Sequence, residues 1–227
     1  MKNVLVIGGS KGIGLELVKS LIHDNKVVSL SRSENQFVHP NLTHITCDVL
    51  NDDLPELEVL DILIYCPGSI NLKPFNKITV SDFKDEFDIN FFGAVLAIQK
   101  YLPVLKKSNV ASVLLFSTVA VKVGMPFHTG ISSAKGAVEG LVKSLASEFA
   151  PKIRVNAIAP TLTDTSLAEK ILRNEKMREV SAERHPLKSF LQPNEVADMA
   201  TFLVSDRSKS ISGQIITMDY GLANLKV

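Results

Sequence analysis

A single lysine near the start of a predicted helix is the clearest candidate for chemistry in this chain. The stretch from His128 to Leu141 reads HTGISSAKGAVEGL and passes from turn residues into a helix of small and apolar side chains. Lys135 is the only lysine or arginine in this stretch, and no acid precedes it within one turn. Residues four apart share one face of a helix, so Ile131 lies on the face of Lys135. Isoleucine has no proton to exchange, so proton chemistry here must depend on other groups.

A second candidate site is the glycine-rich turn near the N-terminus. VLVIG is followed by GSKGIG, which places glycines at positions 8, 12 and 14 between a predicted strand and a predicted helix. Such glycines allow a tight turn and close approach to a pyrophosphate, and the helix N-terminus offers free N–H groups to the anion. A plain strand-to-helix turn is the alternative. The predicted phosphate-contacting residues are Gly8, Ser10, Lys11, Gly12, Ile13 and Gly14.

The end of the second predicted strand indicates which dinucleotide this turn would hold. An NAD-selective site has an acid there for the ribose 2′-hydroxyl. This chain instead has Ser31 and Arg32, with Lys11 in the glycine turn. Ammonium and guanidinium groups both pair well with phosphate, so the two cations would suit a 2′-phosphate. Two solvated surface cations are the alternative. The sequence therefore predicts NADP(H) as the cofactor.

These residues need a scaffold, and short apolar runs alternate with longer helical patterns along the chain. Strands are predicted at 4–8, 27–31, 44–49, 61–66, 112–118, 154–160 and 214–219, and helices at 13–24, 80–107, 130–149, 166–182 and 193–204. Most of the strands are nearly continuous apolar segments, as expected when both faces of a sheet are covered. The alternation predicts an α/β fold, a doubly wound parallel sheet of the Rossmann type with about seven strands and helices on both faces. We expect one dinucleotide-binding domain over 1–227, with a substrate loop at about 165–190.

Several motifs, in order along nearly the whole chain, resemble the short-chain dehydrogenase/reductase family. GGSKGIG is similar to that family's TGxxxGIG fingerprint, and CDV, DINFFGA and IRVNAIAPTLTDT are similar to its later motifs. DILIYCPG departs from the family's NNAG motif except at Gly68. Beyond the first loop, Ser31 and Arg32, the resemblance implies cofactor contacts by Asp48, Val49, Cys66, Gly68, Asn90, Lys135, Pro160, Thr163 and Thr165. The C-terminal helix and strand resemble elements that build two-fold contacts in the family, which implies a homodimer or homotetramer.

The resemblance also implies catalytic roles. In that family a tyrosine and a lysine four residues apart open the central helix, and a serine at the end of the fifth strand orients the substrate carbonyl. Carried over here, Lys135 holds the nicotinamide ribose, Thr118 takes the place of the serine, and Asn90 is the active-site asparagine. The tyrosine, which normally exchanges a proton with the substrate oxygen, falls on Ile131.

Without that phenol the predicted enzyme needs another proton donor, because losing an acid–base group costs about 10²–10⁴ in rate. His128 lies in a loop that lines the substrate side in similar proteins, and histidine titrates near neutrality. Tyr65 follows the fourth predicted strand, in a motif that normally faces the adenosine. Water held by Thr118, Asn90 and Lys135 is the third alternative.

Three hypotheses on function follow. The leading one is an NADP(H)-dependent oxidoreductase with an altered proton donor, acting on a small carbonyl or alcohol substrate such as a ketone or an acyl thioester. The second is a catalytically silent NADPH-binding subunit or sensor. The third is a non-redox isomerase or dehydratase that uses the same pocket.

The composition indicates which classes of partner are not expected. With 25 basic and 24 acidic residues the formal net charge is +1, which argues against nucleic acid or an anionic membrane as a partner. No apolar run approaches the roughly 20 residues of a spanning helix, and the N-terminus has no signal-peptide pattern. Cys47 and Cys66 form no CxxC motif, so neither a disulfide framework nor a metal site is suggested. We expect a metal-free, cytoplasmic protein.

Overall fold

A parallel β-sheet forms the centre of the computed structural model, which describes residues 1–109 and 111–226. Within these ranges the strands are β1 (Asn3–Ile7), β2 (Lys26–Ser31), β3 (Leu42–Thr46), β4 (Ile62–Tyr65), β5 (Ala111–Phe116), β6 (Ile153–Pro160) and β7 (Ile215–Met218). Their order across the sheet is β3-β2-β1-β4-β5-β6-β7, and every neighbouring pair is parallel. The predicted doubly wound, seven-stranded Rossmann-type sheet is therefore confirmed.

Helices cover both faces of the sheet. They are α1 (Gly12–Leu21), α2 (Val80–Phe87), α3 (Gly93–Leu105), α4 (Thr129–Phe149), α5 (Glu175–Glu183) and α6 (Pro193–Val204). Strand β1 shows the two-sided burial: Val4 and Val6 pack with α1 and α6, whereas Leu5 and Ile7 pack with α3 and α4. In the part of the chain that the structure describes, no helix is both long and apolar enough to cross a membrane.

The segment predicted to be helical over 80–107 is helical over 80–105, and a π-helical turn over 88–92 divides it into α2 and α3. Asn90 lies inside this turn, and its side-chain Nδ2 donates to the backbone oxygen of Glu86 at 2.9 Å. A regular helix would give that oxygen to the backbone N–H of Asn90. The hydroxyl of Tyr65 donates to the freed oxygen of Ile89 at 2.7 Å. A Cβ atom at Gly93 would lie 2.1 Å from that hydroxyl, so only glycine fits where the helix resumes.

Two other predicted elements are shorter than expected. The helix predicted over 166–182 is a 3₁₀ turn at 166–168 followed by α5, which starts only after Asn174. Asn174 caps α5 by accepting from the N–H of Met177 at 2.9 Å. The strand predicted over 44–49 ends at Thr46, because Asp48 accepts from the N–H of Leu50 at 3.1 Å and closes a turn. In both places a side chain competes with the regular backbone pattern.

Candidate active site and cofactor cleft

The predicted site residues lie at the carboxyl ends of the parallel strands, and α4 and the π-helical turn add to them. Ligands of open α/β sheets bind at this edge, where the strand order reverses. Here the reversal lies between β1 and β4. A Cβ atom at Gly8, after β1, would lie only 3.0 Å from the nitrogen of Pro67, after β4. Among the described residues, no three His, Cys, Asp or Glu side chains are grouped so that they could hold a metal ion.

The glycine turn after β1 has the geometry of a phosphate cradle. Gly8 and Gly12 have φ values of +82° and +52°, in the left-handed region that glycine tolerates. A Cβ atom at Gly14 would lie 2.1 Å from the oxygen of Gly8, so the first turn of α1 packs directly on the loop. Lys11 precedes α1 without a side-chain cap, and the first turn carries no acid. The N–H groups there are thus free for an anion, and the residues fit a pyrophosphate.

The two cations predicted to bind a phosphate, Lys11 and Arg32, lie beside a contact between the glycine turn after β1 and the loop after β2. Ser10 and Ser33 lie 3.0 Å apart through their hydroxyl oxygens, which joins the glycine turn to the loop after β2. Lys11 and Arg32, beside these serines, are both exposed. Neither cation forms an ion pair with any residue in the described ranges. Both side chains are therefore available to an anionic ligand.

The residues predicted to meet the adenosine end are held mainly by backbone contacts. The backbone N–H of Leu50 is the main cause that lowers the pKa of Asp48, and Arg32 lowers it further. Val49 is buried in the core, so its side chain faces the sheet and not the cleft. The hydroxyl of Ser31 donates to the oxygen of Ser33 at 2.8 Å. The Asp48 carboxylate is thus held within the turn after β3.

Lys135, Asn90 and Gly68 are close together at the other end of the cleft. A Cβ atom at Gly68 would lie 3.1 Å from Asn90 Oδ1 and 3.8 Å from Lys135 Nζ. Lys135 is 8% exposed, and burial lowers its pKa to about 8 against the opposing effects of Cys66 and Glu86. Burial raises the pKa of the Cys66 thiol to about 12, so this group stays protonated near neutrality. The site thus holds a buried ammonium next to a neutral thiol and an amide.

Thr118 lies where the ends of β5 and β6 meet the start of α4. Its hydroxyl accepts from the N–H of Ala120 at 3.3 Å and lies 3.5 Å from the oxygen of Pro160. Ser132, in the first turns of α4, donates to the oxygen of Ala120 at 3.0 Å. His128 directly precedes α4, and its Nδ1 lies 2.8 Å from the oxygen of Pro126.

The segment after β6 reaches back to the glycine turn. A Cβ atom at Gly12 would lie 3.1 Å from the methyl carbon of Thr165. Arg178 of α5 donates two hydrogen bonds to Asp164, at 2.6 and 3.2 Å, which fix α5 to this segment. A cleft of about 760 Å³ lies between the glycine turn and the segment, with Lys11 and Arg178 among its lining residues. The cofactor loop and the predicted substrate loop therefore share one cleft.

Behind that segment lies a buried histidine that the sequence did not single out. His185 Nε2 lies 2.8 Å from the hydroxyl of Thr161, and its Nδ1 lies 2.9 Å from the oxygen of Ser181. Thr163 is also buried, and its hydroxyl donates to the oxygen of Thr161 at 3.0 Å. His185 therefore supports the segment from behind, and Thr163 could meet a cofactor only through its backbone.

Each of the three tyrosines uses its hydroxyl in a hydrogen bond to another group. The hydroxyl of Tyr65 donates to the oxygen of Ile89 at 2.7 Å, and burial raises its pKa. Tyr101 and Tyr220 donate to a backbone oxygen and a carboxylate, at 2.9 and 2.5 Å. Tyr65 lies in the core under α3, which argues against it as the replacement proton donor.

A buried acid near this site, Glu86, was not predicted from the sequence. Glu86 of α2 is 2% exposed, and its Oε2 lies 3.4 Å from Asn90 Nδ2. A Cβ atom at Gly130, in the first turn of α4, would lie 3.5 Å from Glu86 Cγ. In the sequence Glu86 is one of several acids between Asp82 and Asp88 that look solvated. The available signal was its spacing, since Glu86 stands one helical turn before Asn90.

The chain is similar to known proteins along nearly its whole length. A family model described as Enoyl-(Acyl carrier protein) reductase matches residues 43–223. A tropinone reductase homolog from Arabidopsis thaliana is 33% identical, over 97% of this chain and 92% of the relative. A crystal structure of a short chain dehydrogenase family protein from Francisella tularensis has a TM-score of 0.90 and 26% identity, over 99% of this chain and 100% of that chain. The structure of ElxO with NADP bound has a TM-score of 0.88 and 25% identity, over 99% of this chain and 100% of that chain.

Proposed function

This chain belongs to the short-chain dehydrogenase/reductase family, and we propose that it is an NADP(H)-dependent oxidoreductase that acts on a carbonyl or an alcohol. The observation that carries the proposal is the buried Lys135 ammonium beside Asn90 and Gly68, at the same sheet edge as the glycine cradle. The similarity to ElxO, which binds NADP, supports the choice of cofactor. We further propose that residues 1–227 act as one domain in a homodimer or homotetramer.

The residues of the cleft divide the binding of NADP(H) between them. The free N–H groups at the start of α1 would hold the pyrophosphate, and Lys11 and Arg32 would pair with the 2′-phosphate. Asp48 would meet the adenine, and Lys135 would hold the nicotinamide ribose. When bound, NADPH supplies the hydride, while the protein supplies orientation and electrostatics.

The substrate side needs a hydrogen-bond donor and a source of protons. The Thr118 hydroxyl can donate to a substrate carbonyl, as a serine would. Ile131 is 5% exposed and contributes only an apolar wall. His128, just before α4, or water between Thr118 and Lys135 would otherwise provide the proton. The segment 165–190 would close over the substrate, which we expect to be small, such as a ketone or an acyl thioester.

The experiment that tests the proposal follows NADPH absorbance with a panel of ketones, aldehydes and β-ketoacyl thioesters. We expect at least one substrate to be reduced by the wild type and not by Lys135→Ala. The control is Lys143→Ala, an exposed lysine of the same helix, which should keep full activity. Oxidation no faster than that of Lys135→Ala with every substrate would refute the proposal. Product formation without a change in NADPH absorbance would instead favour an isomerase or a dehydratase.

A catalytically silent NADPH-binding subunit is the second candidate. The specific observation in its favour is that the hydroxyls of all three tyrosines are hydrogen-bonded to other groups. In addition, Ile131, one turn before Lys135 on α4, is buried. It predicts that calorimetry detects NADPH binding and that no substrate of the panel is turned over. A measurable turnover would remove it.

A further inference from the structure

Glu86 is a costly residue to bury. It lies between α2 and α4, two helices that pack against each other, and it is 2% exposed. Its Oε1 has no hydrogen-bond partner of normal geometry in the described part of the chain. A carboxylate that lacks a full set of hydrogen bonds is disfavoured away from water, which favours its protonated form. Burial accordingly raises the pKa of Glu86, against the opposing effects of the Asn71 backbone N–H and Lys135.

Asn90 connects this acid to the lysine site. Its Nδ2 faces Glu86, 3.4 Å from Oε2 and 2.9 Å from the backbone oxygen. Its Oδ1 points to the other side, 3.1 Å from the Cβ position of Gly68, which lies 3.8 Å from Lys135 Nζ. The Lys135 ammonium has no hydrogen bond or ion pair of its own among the described residues. The buried acid and the buried ammonium therefore lie near opposite sides of Asn90, without a direct ion pair.

Few other titratable groups act on this pair. Asp82, one turn earlier on α2, raises the pKa of Glu86. Cys66, after β4, raises the pKa of Lys135, but its own thiol keeps its proton near neutrality because of burial. Asp82 is bound by Lys73 at 2.6 Å, so it is fully engaged as a carboxylate. Glu86 is thus the buried group that can hold an exchangeable proton close to Lys135.

We propose that Glu86 is the proton reservoir of this site and that it acts through Lys135. The inference rests on the proposed oxidoreductase function. During reduction the substrate carbon gains a hydride, which bound NADPH would supply, and the substrate oxygen gains a proton of the Lys135 ammonium through the water between Thr118 and Lys135. Lys135 then recovers a proton from the Glu86 carboxyl group through water beside Asn90, and solvent reprotonates the resulting carboxylate. Oxidation of an alcohol reverses these transfers.

The charge balance favours this route. Before the transfer a neutral Glu86 stands near a positive Lys135. After the transfer a carboxylate stands near an ammonium, and opposite charges at short range in a buried site stabilise each other. The negative charge left by the proton is therefore compensated within the protein. The Glu86 side chain also borders Gly130, which precedes Ile131 in the first turn of α4.

The test compares Glu86→Gln with Glu139→Gln, using a substrate that the wild type reduces. Glutamine keeps the shape of Glu86 but cannot exchange a proton. Glu139 is a half-buried glutamate of α4 that accepts from Ser117 at 2.6 Å, which glutamine can also do, so this control should keep full activity. For Glu86→Gln we expect kcat to fall about 10²–10⁴-fold, with the Kd for NADPH unchanged. Glu86→Asp, which retains an acid, should restore part of the rate.

The pH profile separates this role from a structural one. In the wild type kcat should fall as the pH rises through the raised pKa of Glu86, because the carboxyl group then has no proton to give. Glu86→Gln should lack that limb. A lower melting temperature with unchanged kcat and pH profile would overturn the proposal, since Glu86 would then be structural. A wild type that binds NADPH but reduces nothing would instead overturn the proposed function, and the reservoir with it.

If Glu86→Gln does not fold, infrared spectroscopy of the wild type tests whether Glu86 carries a proton. At a pH above the range in which an ordinary glutamate ionises, we expect the C=O band of a protonated carboxyl group, which disappears as the pH is raised further. If this band disappears within the ordinary range for glutamate, the proposal is overturned, because Glu86 then holds no proton that an exposed acid would have lost.

Discussion

The preference for NADPH over NADH is the most direct test of how the cleft is built. Arg32 stands at the end of β2, is exposed and pairs with no acid among the described residues. Replacing it by alanine removes one charged hydrogen bond to the 2′-phosphate, a kind of bond that contributes about 1.5–3 kcal/mol. Because the side chain is solvated, we take the lower end, which corresponds to roughly a tenfold rise in the Kd for NADPH. NADH lacks the phosphate, so its Kd should hardly change.

Calorimetric titration of both dinucleotides measures this difference directly. The matched control is Lys26→Ala, an exposed cation at the opposite end of β2, which should leave both affinities unchanged. Arg32→Asp should go further and favour NADH, since an acid there accepts from the ribose 2′-hydroxyl. The NADPH advantage of the wild type should also shrink with added salt, because exposed charges are screened. An equal loss of affinity for NADPH and NADH in Arg32→Ala would refute the placement of the 2′-phosphate.

Three further predictions concern the lysine and the glycine turn. Ile131→Tyr should raise the rate of ketone reduction by about 10²-fold or more by restoring a phenol one turn before Lys135, and no gain in the NADPH assay would count against an intact lysine site. The Kd for NADPH, measured over a pH series, should rise as the pH passes about 8, because Lys135 is charged below that value and neutral above it. The variant Lys135→Met should lack this inflection. Gly14→Ala should weaken NADPH binding and lower the melting temperature through about 1–3 kcal/mol of overpacking, because its Cβ would lie 2.1 Å from the oxygen of Gly8. Gly140→Ala, which has open space around its Cβ position, should change neither quantity, and equal effects of the two substitutions would contradict the packing argument.

The sheet could be predicted from the sequence because its strands are buried on both faces. In β1 neighbouring residues such as Leu5 and Val6 face opposite cores, so the run is apolar throughout and stands out from the helical patterns. The break between α2 and α3 could not be predicted in the same way. It depends on the side chains of Asn90 and Tyr65, which donate hydrogen bonds to backbone oxygens of the helical segment. Such contacts are tertiary and leave no local period in the sequence.

The secondary structure of the segment 165–190, the predicted substrate loop, was harder to predict for a related reason. Its charges of both signs suit a long solvated helix as well as a short capped one. The structure starts α5 at the Asn174 cap and fixes it by the pairing of Arg178 with Asp164. That pairing joins residues fourteen positions apart in the chain. It is a property of how the segment folds back on itself, which helical spacing alone does not encode.

Some residues at the lysine end of the cleft could likewise be predicted from local sequence, whereas others depend on tertiary packing. Lys135 and Ile131 could be predicted as site residues from the family resemblance and their spacing, whereas Glu86 needs the packing of α2 on α4 to distinguish it from its solvated neighbours. That packing bears on the choice between an enzyme and a silent subunit. In the proposed site, holding NADPH would require the lysine but no acid behind Asn90. Burying an acid without a full set of hydrogen bonds costs stability, so a site that only binds gains nothing from Glu86. A site that must move protons without a phenol does gain, because Glu86 can store one, and the buried acid therefore favours the enzyme.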